Sequence, residues 1–112
     1  MYSKELLKGT LSTIILKLLA SQGKMYGYEI VQRVKILSSD KILVKEGSLY
    51  PALHKLKDDG LVKTEKEMVG NRVRKYYSLT DKGMTLTEEK ISEMNQFIST
   101  IQSILMAKPE VS

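Results

Sequence analysis

Arg72, Arg74 and Lys75 fall within four residues, directly after Gly70-Asn71, a dipeptide that favours a tight bend between two strand-like runs. Their guanidinium and ammonium groups donate hydrogen bonds and accept none, so on a thin projection they suit phosphate oxygens or the acceptor edges of bases. An arginine carried this way can enter a minor groove, where narrow A·T tracts concentrate negative potential. The competing use of such charge is to keep an edge strand from aggregating. Over residues 61–79, five Lys/Arg stand against two Glu. A second candidate set lies just upstream. Ser48, Pro51 and Lys55 sit opposite an apolar stripe of Leu49, Ala52, Leu53 and Leu56, and Tyr50, His54 and Lys57 flank them. That stripe has the i, i+3, i+4, i+7 spacing of an amphipathic helix. Tyr50 either reaches DNA or packs into the core by its ring, and Tyr28 leaves the same two options open. Lys63, Lys66, Glu65 and Glu67 read as ordinary solvated strand residues.

The chemistry of bond making is poorly supplied. There is no cysteine and one histidine, His54, with no nucleophile or orienting carboxylate placed around it. No phosphate-binding glycine loop or metal-ligand cluster is present in the sequence. The expectation is a chain that is not an enzyme and carries no metal or cofactor.

The elements that must hold these groups follow from the pattern. An N-terminal helix is predicted from about Lys4 to Ala20, apolar nearly all round through Leu11, Ile14, Ile15, Leu16, Leu18 and Leu19. A second helix begins near Tyr26 or Gly27 and presents Ile30, Val31, Val34 and Leu37 on one face. Ile42-Leu43-Val44 reads as a short strand beside a later hairpin. A third helix is expected over Ser48–Asp59, with Ser48 as its N-cap so that Pro51 falls in the first turn, where no intrahelical donor is needed. Gly60 stops it. Strands follow over Leu61–Met68 and Val73–Leu79. Of Tyr76 and Tyr77, adjacent in a strand and therefore on opposite faces, one is core.

Thr80 caps a last helix reaching about Ala107, with Gly83 a weak spot in its first turn. Met84, Ile91, Met94, Ile98, Ile101 and Leu105 recur at alternating threes and fours, with Thr87 filling the one gap. This is a heptad seam, widened by Phe97 and Ile104. A monomer this small cannot cover so long a stripe. A homodimer is expected, with Leu11, Ile15, Ile91, Met94, Phe97, Ile98, Ile101 and Leu105 at its interface and each last helix packed on its mate and on helix one of the other subunit.

Composition agrees. The 112 residues suit one domain, organised as residues 1–79 for binding and 80–112 for dimerisation. Residues 1–79 carry 15 Lys/Arg against 8 Asp/Glu, a net of +7, and residues 80–112 carry 3 against 5, a net of −2. A basic body with a mildly acidic tail points to a polyanion for the body. No apolar run approaches the ~18 residues of a membrane span, and no secretory leader is seen. Absence of cysteine fits a reducing cytoplasm.

The order of these features resembles the PadR family of bacterial transcriptional regulators, in its small subclass with a single C-terminal helix. The marks are Leu7-Lys8-Gly9-Thr10-Leu11, Gly27-Tyr28-Glu29-Ile30, the run from Gly47 to Leu56, Gly60-Leu61, and Arg74-Lys75-Tyr76-Tyr77-Ser78-Leu79-Thr80. The resemblance covers nearly the whole chain. It implies a mainly α fold with a small β-hairpin wing, that is, a winged helix-turn-helix followed by a long C-terminal helix. It further implies a homodimeric repressor that binds double-stranded DNA at a pseudo-palindromic operator and is released by a small-molecule effector, for which the dimer interface is a candidate site, or is otherwise tuned. Tyr28, Ser48, Tyr50, Pro51, His54, Lys55, Arg72, Arg74 and Lys75 are the expected DNA-binding set. Two departures from the family pattern are Tyr26, where the family often has His, and Val73, which interrupts the arginine run of the wing. An alternative reading, from another class, is a winged-helix module that sets its hairpin against a second protein.

Overall fold

In a computed structural model, which describes residues 2–110, Gly9 divides the expected N-terminal helix in two. Helix α1 (Lys4–Leu7) is capped by Ser3 and ends at Lys8, and helix α2 runs from Leu11 to Gln22. Gly9 takes φ +86°, and the Thr10 hydroxyl donates to the Leu7 carbonyl at 2.7 Å, so the backbone turns between them. Strand β1 (Met25–Tyr26), helix α3 (Gly27–Leu37), helix α4 (Glu46–Asp58), strands β2 (Val62–Val69) and β3 (Arg72–Leu79), and helix α5 (Asp81–Leu105) complete the chain.

The sheet is antiparallel in the order β1-β3-β2, which places β3 at its centre. Its third strand is therefore Met25–Tyr26, and the expected strand at Ile42–Val44 is absent. Both edges of β3 are already occupied. Residues 42–44 instead run as irregular chain, held where the Ile42 amide donates to Ser38 Oγ at 3.0 Å, while Ile42 and Val44 pack on the core. Between β2 and β3, Gly70 takes φ +61° at the first central position of the bend, as a type II′ hairpin turn demands.

Helix α2 is the centre of the core. Its Ile15, Leu16, Leu18 and Leu19 meet Ile30 and Val34 of α3, Leu49, Leu53 and Leu56 of α4, and Met25, Leu61, Val62 and Tyr77 of the sheet side. Burial of each such side chain contributes about 1.5–3 kcal/mol. Ile15 is 0% exposed and belongs to this core, which corrects its expected place in a dimer interface. Leu11 is half-buried against the same core.

Helix α4 starts earlier than expected. Extended backbone at Lys45 makes it the N-cap, and its carbonyl accepts from the amides of Ser48 and Leu49 at 2.9 Å each. No side chain caps this end. Ser48 is thus inside the helix, and Pro51 lies in its second turn, where the lost N–H removes one helical hydrogen bond.

The junction between α4 and α5 is tied by Thr80. Its hydroxyl accepts from the Gly83 amide at 3.0 Å and donates to the Gly60 carbonyl at 2.6 Å, and its own amide donates to Leu61 at 3.1 Å. Gly83, read from the sequence as a weak spot, is a close-packing position. A Cβ there would overlap the Leu61 carbonyl oxygen, a backbone atom that cannot swing aside. Gly83→Ala is expected to lower stability by about 1–3 kcal/mol through overpacking, against the usual helix-stabilising sign of Gly→Ala. A denaturant melt measures it.

One turn further, Thr87 is buried and donates to Gly83 at 2.7 Å. Leu86 packs on the core, and Ile91 and Met94 border an apolar groove shared with Ile14, Leu18 and Leu37. The first half of α5 therefore lies on the chain's own α2. From Asn95 to Glu110 every residue is exposed.

Candidate nucleic-acid interface

The hairpin's strand pairing decides where its cations go. The register sets Val62 against Leu79, Thr64 against Tyr77, Lys66 against Lys75 and Met68 against Val73 on one face. The other face pairs Lys63 with Ser78, Glu65 with Tyr76, Glu67 with Arg74 and Val69 with Arg72. Near the body the first face covers the core, because Tyr77 on β3 is buried and pairs with buried Met25 of β1. Tyr77 is thus the core member of the two adjacent tyrosines. Burial pushes its phenol up, and Coulombic repulsion from Tyr50 adds to the effect.

On the outer face Tyr26 and Tyr76 meet edge to face, 5.6 Å between ring centres. The Arg74 guanidinium lies 4.2 Å from the centre of the Tyr26 ring, and Lys24 lies 5.2 Å from that of Tyr76. Lys24 also pairs with Glu67 and, at 3.4 Å, with Glu65. Hydrogen bonding to Glu67 is the main cause that raises the Lys24 ammonium above its usual range, opposed by desolvation and helped by Glu65. Sequence alone gives no signal for Lys24, marks Tyr26 only as a departure from the family pattern and reads Lys66 as an ordinary solvated strand residue. A two-residue strand carries no periodicity, and the partner of Lys24 lies 43 positions away.

On α4 the outward residues are Ser48, Tyr50, Pro51, His54 and Lys55, all exposed. Tyr50 is only partly packed. Its ring is 45% exposed, yet its hydroxyl sits against Gly27, where a Cβ would fall 2.6 Å away. Tyr28, the next residue after Gly27, is 63% exposed, so both tyrosines line one end of this surface. The Glu29 carboxylate accepts from the Tyr26 amide at 3.1 Å and holds the start of α3. Toward the far end of α4, Lys55 lies 3.6 Å from Asp59 and His54 Nε2 lies 3.4 Å from Asp58. The Lys55–Asp59 pair is exposed and i,i+4, worth only ~0.3–0.5 kcal/mol, so a phosphate could displace its carboxylate at small cost. Tyr50 thus links the exposed face of α4 to the start of α3 at Gly27, and lies near enough to Tyr77 of β3 to act on its phenol.

A helical core, a helix with a free polar face and a following two-stranded projection define a winged helix-turn-helix protein, here with a long C-terminal helix. Residues 15–89 match the Transcriptional regulator PadR-like family. The chain belongs to that family of transcriptional regulators. A transcriptional regulator of Clostridium thermocellum is similar in structure at TM-score 0.82 and 29% identity, over 96% of this chain and all of that one. A PadR-like transcription factor of Bacteroides fragilis gives TM-score 0.72 and 33% identity, over 89% of this chain and 94% of that one. A transcriptional regulator of Mycobacterium tuberculosis is 36% identical over 72 residues, which span 63% of this chain and 64% of the relative. Among the described residues no helix is long and apolar enough to cross a membrane.

Proposed function

We propose that this regulator is a homodimeric, cytoplasmic repressor that binds a pseudo-palindromic operator in double-stranded DNA. The observation that carries the reading is the run of exposed α4 residues followed by a lysine- and arginine-bearing hairpin. In such a protein the N-terminal residues of α4 enter the major groove, where Ser48, Tyr50, Pro51, His54 and Lys55 meet base edges and phosphates. Tyr28 adds a phosphate contact from the start of α3, and Arg72, Arg74 and Lys75 extend the positive surface along the hairpin. Residues 1–79 do this work and residues 80–112 join two copies.

Two uncovered apolar surfaces support the dimer. One is the second half of α5, where Phe97, Ile98, Ile101 and Leu105 are exposed and no charged residue occurs from Met94 to Ala107. The other is a groove of about 620 Å³ between α1, residues 42–45 and the start of α4, lined by Leu7, Leu11, Ile14, Ile42 and Val44. A helix from a second copy laid in this groove would cover both surfaces. The same groove reaches Ser48 and Ala52 of α4, so an effector bound at its edge would sit between the dimer contact and the DNA-reading helix.

A salt titration of binding tests the reading. A dimer that neutralises about 8–10 phosphates should show a slope of log affinity against log salt of about −7 to −9. A slope near zero in a clean titration would favour the alternative in which the hairpin docks on protein.

A further inference from the structure

The two faces of the hairpin differ in how their charge is satisfied. Lys66 and Lys75 lie directly opposite each other on the inner face, and neither strand brings an acidic residue to that face. Like charges so placed repel and destabilise a strand pair. An anion lying across both would convert that repulsion into binding. Lys75 stands 5.7 Å from the centre of the Tyr77 ring, and Tyr77 pairs with Met25, two residues before the Gly27 on which the Tyr50 hydroxyl rests. The inner face thus leads through the buried Tyr77 and Met25 toward Gly27 and the Tyr50 hydroxyl of α4. On the outer face Glu65 and Glu67 pair with Lys24, and the Arg74 guanidinium is spread over the Tyr26 ring, while Lys63 near the body and Arg72 at the tip share that face. Drawing Arg74 off the Tyr26 ring toward a phosphate gives up an existing cation–π contact.

We infer that the hairpin, on the reading above that it meets DNA, does so with Lys66 and Lys75 on phosphates, while Arg74 is a positioning residue that braces the hairpin against Tyr26 of β1. Lys66, an unremarkable strand residue by sequence, becomes a DNA contact. Arg74 acts through the angle at which it holds the hairpin.

The test measures salt slopes for the full-length dimer on a fluorescent duplex taken from the DNA upstream of its own coding sequence, with an unrelated duplex beside it. Lys66→Met and Lys75→Met each remove two contacts per dimer and should make the slope shallower by about 2. Arg74→Met keeps an apolar stem and a sulfur against Tyr26 without the charge, and should leave the slope unchanged. Arg74→Ala should weaken binding, and Arg74→Met should restore it. Circular dichroism confirms that each surface variant is folded. A slope reduced by Arg74→Met as much as by the lysine variants would make Arg74 a direct contact and overturn the brace. Lysine variants that keep the parent's steep slope would overturn the inner-face assignment. A parent protein with no salt-dependent binding to either duplex would instead overturn the DNA-binding reading on which the inference rests.

Discussion

Ile98→Asp is expected to give a folded monomer that has lost specific operator binding, although no residue facing DNA is changed. Ile98 is 55% exposed in the single chain and touches none of the buried core, so the monomer has no reason to unfold. In the proposed dimer the same position is enclosed by a second copy. A carboxylate there would be desolvated without a partner, a penalty of about 3–5 kcal/mol at each symmetric site. Two half-sites held by one dimer bind cooperatively because the second contact is intramolecular, an advantage of roughly 10²–10⁴ in affinity that a monomer forfeits. Light scattering beside a gel shift reads both effects. A dimeric Ile98→Asp protein that binds operator like the parent would refute the assembly.

Leu53→Ala should act in the opposite way, through the fold. Leu53 is 1% exposed on the inner face of α4, where that helix lies on α2 and on the sheet. Truncation removes three carbons and leaves a cavity that α2 cannot close without disturbing Ile15 and Leu16. The expected loss is about 2–5 kcal/mol, a large part of the stability of a domain this size. DNA binding should weaken at elevated temperature in step with unfolding while remaining near normal in the cold. A thermal melt that overlays the parent's would place Leu53 outside the core.

What the chain discloses before folding is local. Thr80 as a cap, Gly60 as a stop and Gly70-Asn71 as a bend all depend on one or two residues and their own backbone, and each is found in place. The α4 stripe is found as well, since Leu49, Leu53 and Leu56 are buried together. Two of the misreadings, at Ile42–Val44 and at Gly83, share one cause, which is that a partner distant in sequence decided the outcome. Ile42–Val44 had strand-forming residues but no free edge beside β3, because the two residues Met25–Tyr26 had taken it. Ser48 had the chemistry of a cap, yet the extended backbone at Lys45 began the helix sooner. Gly83 looked like a helix weakness because the Leu61 carbonyl pressed against it lies 22 residues earlier. Alternation along β3 assigns Arg74 and Lys75 to opposite faces from sequence alone. Only the burial of Tyr77 says which of those faces leads toward α4.

The assembly and its use on DNA meet in one observation, a hydroxyl-radical footprint on the DNA flanking the protein's own gene. A two-fold dimer with one α4 and one hairpin from each copy should protect two patches on the same side of the duplex, centred about one helical turn, or ~34 Å, apart. The sequence beneath them should be pseudo-palindromic. A single protected patch, or none at protein concentrations where unrelated DNA is also left uncovered, would contradict it.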